Sequence, residues 1–277
     1  MHVDIKVLGA FEVTVAGVSI VPTANKPSQV LAMLALTAGR VLTTDELIEE
    51  VWNQHPPRTA VTTIHTYIRT LRKRLREVPG DGTAESILLT RRNGYLLDVP
   101  RSSIDAVVYD RLSVLGRRAA GEGDYPTASR TLDSALDLWR GQALADVPTG
   151  PLLQIEAVRL EESRLSDLGL RIDVDLCLGR HHQLLTELAT LCARYPLLEN
   201  FCAQFMLALY RSDRQWQALQ AYRHTRDALV EQLGVEPTTR LRQLHQEILA
   251  GNPTVDDPNF VFSGWVPQRE PNSVAIS

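Results

Sequence analysis

The spacing of hydrophobic and polar positions changes several times along the first hundred residues. Between Asp4 and Val21 it approaches alternation: Ile5, Val7, Phe11, Val13, Val15, Val18 and Ile20 carry it. That pattern predicts short strands, with Ala16-Gly17 as a hairpin turn. Pro22 to Pro27 reads as a connection. From Ser28 the period lengthens, and Val30, Leu31, Leu34 and Ala35 form a helical face that stops near Gly39. Val41-Leu42 is short and extended. Thr43 or Thr44 is suited to cap a second helix, with Glu46 in its first turn and Leu47, Ile48, Val51 and Trp52 on its buried side. The run Asn53–Arg58 (NQHPPR) breaks that helix, and Thr59 opens the next.

That third helix, over residues 59–77, organises the region. Val61, Ile64, Ile68, Leu71 and Leu75 recur at steps of three and four, which places them on one apolar stripe. The other side carries Thr62, His65, Thr66, Arg69, Arg72, Lys73 and Arg76. Short hydrogen-bonding side chains therefore lead into cations, a division suited to base edges at one end and phosphates farther along. A solvated amphipathic helix with a basic end would show the same pattern in isolation. Residues 79–85 (PGDGTAE) then read as a loop, and SILLTRRNGYLLDV reads as two strands around Arg92-Asn93-Gly94, with Asn-Gly a strong signal for a tight hairpin. Strands, two helices, a basic helix and a hairpin make a winged helix-turn-helix, in which the last helix enters the major groove and the hairpin touches the flanking backbone. Leading strands and a long loop between the second and third helices resemble the subclass seen in response-regulator output domains. No phosphoacceptor domain is expected ahead of it.

From about residue 100 the pattern is all helical. Three segments share one spacing of small and apolar residues: Ala128, Leu132, Ala135; Leu184, Leu188, Leu191; and Ala218, Tyr222, Thr225. Each follows a break, at Gly121–Asp124, Gly179-Arg180 and Ser212–Arg214. Degenerate tetratricopeptide-like hairpins stacked on a shared core are predicted, with an irregular bundle as the alternative. Leu152, Ile155, Val158, Leu165 and Leu168 should form the packing face of the helical stretch from 152 to 176. The fold class expected is thus an α+β N-terminal winged helix-turn-helix followed by an all-α tetratricopeptide-like domain. The expected domains are 1–99, 100–250 and a mostly disordered Pro-, Asn- and Ser-rich tail over 251–277, in which Phe260, Phe262 and Trp265 could dock.

Composition sharpens this in two respects. The net charge of −4 argues against nucleic acid until it is divided along the chain. Residues 1–100 hold eleven Lys/Arg and ten Asp/Glu, and within 62–95 there are seven basic residues against three acids. The positive charge is local, as a footprint on DNA should be. Second, Cys177, Cys192 and Cys202 are odd in number, lack metal-ligand spacing and lie in apolar helical patterns, so they read as buried free thiols. No apolar run is long enough for a membrane span, and the N-terminus has no basic-then-apolar leader.

Candidate chemistry changes the picture little. Asp173 and Asp175 stand two apart on a predicted helix and do not face one another. His181-His182 has no acidic or Cys partner at ligand spacing. There is no P-loop and no nucleophile elbow. No catalytic residue, metal or cofactor is expected.

The motifs together resemble a family. KPSQVLAMLALTAGRVLTTDELIEEVW, PPRTAVTTIHTYIRTLRKRL, LLTRRNGYLL, ALDLWRG, LGRHHQLLTEL, YPLLENFCAQFMLALYRSDRQWQALQAYRHTRDAL and LGVEP occur in order over about residues 3–250. In that combination they resemble the Streptomyces antibiotic regulatory proteins. The resemblance implies a winged helix-turn-helix followed by a bacterial transcriptional activation domain. It further implies an activator of an antibiotic gene cluster that binds direct repeats of double-stranded DNA near a promoter and recruits RNA polymerase holoenzyme. The chain is similar to small members, without ATPase or sensor domains. It departs from the family pattern at Arg92-Asn93-Gly94-Tyr95, where many members have Gly-x-Gly-Tyr, and at Asp213, where the turn usually carries Gly.

On this reading Thr62, Thr63, His65, Thr66 and Arg69 are candidates for base contact, with Arg69 able to reach phosphate instead. Lys26, Arg72, Lys73, Arg91 and Arg92 are candidates for the DNA backbone. Asn53, Gln54, His55 and Arg58 are the candidate polymerase surface, by resemblance to the subclass. A homodimer, or protomers lying side by side on DNA, is expected, in the cytoplasm at the nucleoid and without a membrane. The alternatives are a tetratricopeptide-like scaffold with a protein-binding winged domain, and a DNA-binding repressor.

Overall fold

A computed structural model describes residues 2–79, 86–257 and 260. Most of the loop expected over 79–85 lies outside the described residues, as do Phe262 and Trp265. The chain opens on an antiparallel sheet of β1 (Val3–Lys6), β2 (Glu12–Val15) and β3 (Val18–Ser19). Ala16 and Gly17 form the β2–β3 turn with φ of 49° and 80°, which matches the strand twist. Helix α1 runs Asn25–Leu36 and β4 spans Leu42–Thr43. Helix α2 spans Thr44–Trp52 and α3 Ala60–Arg76, and β5 (Leu88–Arg91) and β6 (Gly94–Leu97) complete a second sheet of order β4-β6-β5.

One sequence expectation changes at α1, and one left open at α2 is decided. Helix α1 begins at Asn25, so Pro27 is inside its first turn, where a missing N–H leaves no helical bond unmade. Lys26 therefore stands on the helix rather than ahead of it. At α2 the cap is Thr43: its hydroxyl accepts from the Glu46 N–H at 3.1 Å, and the Glu46 carboxylate accepts from the Thr43 N–H at 2.7 Å.

The remaining helices are α4 (Asp105–Gly121), α5 (Tyr125–Leu136), α6 (Pro151–Cys177), α7 (His181–Arg194), α8 (Glu199–Tyr210), α9 (Gln215–Leu233) and α10 (Thr239–Ala250). Compactness divides the chain into a unit of residues 1–117 and 130–167 and a unit of residues 118–129 with those from 168 onward. The change from mixed to helical structure near residue 99 is thus not where the compact units part.

In the first unit one core runs from Ile5 and Leu8 through Leu31, Leu47, Ile64 and Leu71 to Tyr109, Leu153 and Leu160. Carboxylates tie its pieces. Asp105 accepts from the Val7 and Leu8 N–H groups at 2.8 and 3.1 Å, and Asp146 accepts from the Phe11 N–H at 2.7 Å. Glu50 on α2, 1% exposed, accepts from the N–H groups of Gly150, Leu152 and Leu153 at 2.6, 2.9 and 3.0 Å. Gln29 of α1 adds a fourth donor at 2.8 Å.

Helix α6 is one continuous element, and its buried positions differ from those expected. Ile155 and Val158 are 64% and 50% exposed, while Leu153, Leu160 and Asp167 are fully buried. The buried stripe steps by seven residues, two helical turns, and passes through a polar residue, which an apolar pattern cannot reveal. Asp167 is satisfied by the Tyr109 hydroxyl at 2.6 Å and the Arg117 Nε at 2.7 Å.

All nine residues of the three repeated segments are buried, on α5, α7 and α9. The turn before each of these helices carries one residue of left-handed backbone: Gly123 (φ 79°), Gly179 (φ 74°) and Asp213 (φ 58°). Asp occupies that region more readily than most non-glycine residues. In the second unit Asp175 accepts from Ser129, Arg171 and Arg180, whereas Asp173 accepts from Gln204. The two acids thus face different partners. The thiols of Cys177, Cys192 and Cys202 are pushed up to about 11, 12 and 11 by burial, although the first two are only half-buried residues.

Residues 251–257, expected to begin a disordered tail, are folded. Asn252 caps a 3-10 turn over Pro253–Asp256, Val255 is fully buried, and Arg211 donates to the Val255 and Asp257 carbonyls. The partner, just past the end of α8, is more than forty positions away, so local composition misses it.

Glu50→Ala should lower stability in urea unfolding by about 3 kcal/mol, because it leaves several buried donors without an acceptor. Glu50→Gln, which keeps one oxygen, should lose less.

Candidate nucleic-acid interface

Helix α3 presents two unlike faces. Ala60, Ile64, Ile68, Leu71 and Leu75 are buried. Val61, expected to begin that stripe, is 49% exposed. Ala60 takes the position, one step of about 100° around the helix from Val61. Thr62, His65, Thr66, Arg69, Lys73 and Arg76 lie along the exposed side, and Thr63 is half-buried. The side chains of Thr62, His65, Arg69 and Lys73 make no hydrogen bond or ion pair with another described residue.

The threonines are not equivalent. The Thr63 hydroxyl donates to the Thr59 carbonyl at 2.9 Å, and Thr66 donates to Thr62 at 3.0 Å. A hydroxyl whose proton is committed to the turn behind it offers outward only lone pairs and a methyl group. Such a side chain suits the amino group of adenine or cytosine, or the thymine methyl. The first turn of α3 has no acidic residue and no side-chain cap, and the last turn holds Lys73, Arg74 and Arg76. Basic residues there complement the helix dipole, and a first turn without acids leaves its N–H groups compatible with a phosphate.

The β5–β6 hairpin places Arg91 and Arg92 at an exposed tip. The expected Asn-Gly turn is not the one formed. Arg91 pairs with Gly94, so Arg92 and Asn93 make the two-residue turn. Gly94 serves a different purpose: it also pairs with Thr43 of β4, and a Cβ there would stand 2.0 Å from the Leu42 carbonyl oxygen. Glycine is required by the approach of a strand fifty residues earlier, which local turn rules do not detect.

Arg72, expected to bind phosphate, is half-buried and turned to the hairpin. Its Nη2 donates to the Leu88 carbonyl at 3.2 Å and to the Thr90 hydroxyl at 2.7 Å. Burial pushes the Tyr95 phenol up, and the Arg72 guanidinium draws it part of the way back. Arg72 therefore holds the wing against α3.

Asn53, Gln54, His55 and Arg58 are all exposed in the segment after α2. Asn53 has a φ of 52° and its N–H donates to Glu49. Asn53 and His55 line an open cleft of about 820 Å³ together with Lys26, Trp52 and Gly150, whereas Gln54 and Arg58 lie outside it. Lys26 Nζ stands 4.9 Å from the Trp52 ring, which stacks at 6.3 Å on Tyr67 of α3. This column joins the three helices, and spacing within one segment does not reveal it, because its successive members stand 26 and 15 residues apart.

Residues 19–97 match the family described as transcriptional regulatory protein, C terminal, and residues 104–249 match the bacterial transcriptional activator domain. Regulatory protein DnrI of Streptomyces peucetius is 45% identical, over 91% of this chain and 94% of that protein. Transcriptional regulator RedD of Streptomyces coelicolor is 34% identical, over 99% of this chain and 76% of that protein. Among solved structures, Mycobacterium tuberculosis EmbR in complex with a low-affinity phosphopeptide has a TM-score of 0.84 at 31% identity, covering 95% of this chain and 69% of that one. No described helix is long and apolar enough to cross a membrane.

The two cations one position apart on α3 should separate in thermal melts without DNA. Arg72→Ala should cost about 1–2 kcal/mol through the lost hairpin bonds, while Lys73→Ala should stay within about 0.5 kcal/mol of the parent.

Proposed function

The chain belongs to the Streptomyces antibiotic regulatory protein family of transcriptional activators, and we propose that it activates an antibiotic gene cluster by binding direct repeats near a promoter. The observation that carries this reading is the exposed strip of α3. Thr62, Thr66, Arg69 and Lys73 lie along one side of a helix whose opposite side is buried, beside a hairpin tipped by Arg91 and Arg92. The helix enters the major groove. Thr62, His65 and Thr66 face base edges, with Thr63 at the margin because it is half-buried. Arg69 reaches a base or a phosphate according to register. Lys73 and the two wing arginines bind phosphates, and Arg72 acts through the wing it holds. Lys26 stays over Trp52 and adds a backbone contact only at the edge of the footprint.

Direct repeats place protomers head to tail, side by side on one face of the duplex. The exposed segment from Asn53 to Arg58 is the surface offered to RNA polymerase holoenzyme, and such a protein works in the cytoplasm at the nucleoid. The family's relatives are named as regulators, which favours this reading over a peptide-binding scaffold.

A mobility-shift series tests the groove assignment. Lys73→Ala should weaken binding to every sequence and reduce the salt slope by about one unit. Thr66→Ala should change base preference at one position, a shift of about 1–3 kcal/mol. Unaltered binding in both variants would remove α3 from the interface. For recruitment, His55→Ala and Arg58→Ala together should lower transcription by purified polymerase while leaving DNA affinity intact. Equal transcription would exclude that segment.

A further inference from the structure

A cavity of about 600 Å³ opens in the second unit, between the end of α6, α8 and α10. That volume lies in the range of small-molecule sites, and the lining has their usual composition. Leu176, Ala203, Leu207, Leu241 and Leu244 supply apolar walls, and Phe260 closes one side. The charged residues are few and unequal in sign: Asp173, Glu199 and Glu247 against Arg240.

Two of these acids are held by neighbouring polar groups. Gln204, 1% exposed, donates through Nε2 to the Gly169 carbonyl at 2.8 Å and to Asp173 Oδ1 at 2.7 Å. Two acceptors on one nitrogen settle which way the amide points, and they leave its buried Oε1 without a hydrogen-bond donor. The Glu199 carboxylate is held by the Thr238 N–H at 2.9 Å and the Thr238 hydroxyl at 2.7 Å. The acids are therefore preorganised rather than free to swing into solvent.

We propose that this cavity binds an effector: a largely apolar, drug-sized molecule that carries a basic amine, with its rings among the leucines and its ammonium beside Asp173. The excess of acid over base in the lining selects a cation over an anion. The condition of Asp173 agrees with this. Burial pushes its carboxyl up to about 7, against the opposing pull of Gln204 and Arg240. A bound ammonium adds a counter-charge, beyond Gln204 and Arg240, to a carboxylate that solvent no longer stabilises. The site is made by the helical unit alone, so it stands independently of how the chain reads DNA.

The test uses the full chain and fluorescent probes of one ring system and different charge. Dansylcadaverine, which carries a primary ammonium, should bind with a blue-shifted emission. Neutral dansylamide should bind more weakly, and the anion 1-anilinonaphthalene-8-sulfonate weakest. Ala203→Phe fills the cavity and should abolish binding of the first two. Asp173→Asn is isosteric and still accepts from Gln204; it should weaken dansylcadaverine by about tenfold and leave dansylamide unchanged. Circular dichroism confirms that each variant is folded. The proposal is overturned if dansylcadaverine does not bind, if Ala203→Phe leaves its binding intact, or if Asp173→Asn affects the charged and neutral probes equally.

Discussion

A buried carboxylate holds the winged half of the first unit to its helical half. Glu50 sits on α2, inside the helix-turn-helix, and has almost no contact with solvent. An isolated charge in such a place would be strongly unfavourable. It is tolerated because three backbone N–H groups at the start of α6 and the Gln29 amide converge on its two oxygens. Those N–H groups belong to the first turn of a helix, where they have no intrahelical acceptor and where the dipole favours negative charge. Each side thus removes the other's deficit. Because the geometry is specific, α2 and the first turn of α6 are fixed relative to one another, and the core around Leu47 and Leu153 closes over the contact.

The surface proposed to read DNA follows from that rigidity. With α2 held, Trp52 is positioned to stack on Tyr67, and α3 is fixed along its buried stripe. Arg72 then aligns the wing with the same helix. What remains exposed on α3 is a strip of threonines, one histidine and cations, carried on a rigid element rather than on a loop. Preorganisation of this kind favours selective base reading, since the side chains need little ordering when a duplex arrives.

The helical hairpins use a different device. Their helices are joined by short turns that each need one left-handed residue. Glycine meets this need at positions 123 and 179, and aspartate meets it at 213. The substitution changes the local conformational preference and not the packing, because Ala218, Tyr222 and Thr225 beyond it are buried like their counterparts on α5 and α7.

Periodicity and turn chemistry in the sequence determine the order and type of the strands and helices of the winged domain, the three-fold recurrence of Ala128, Leu184 and Ala218, and the basic face of α3. These features are local: each depends on residues within a few turns of one another. The order of motifs likewise carries the family. Tertiary structure alone decides what long-range partners impose. It gives Gly94 to the approach of β4 instead of to a turn, and Arg72 to the hairpin. It buries Asp167 in place of Ile155 and Val158, and it packs Val255 where composition suggests disorder. In each case the deciding atom lies far along the chain, and spacing within a segment holds no information about an atom that only folding brings near.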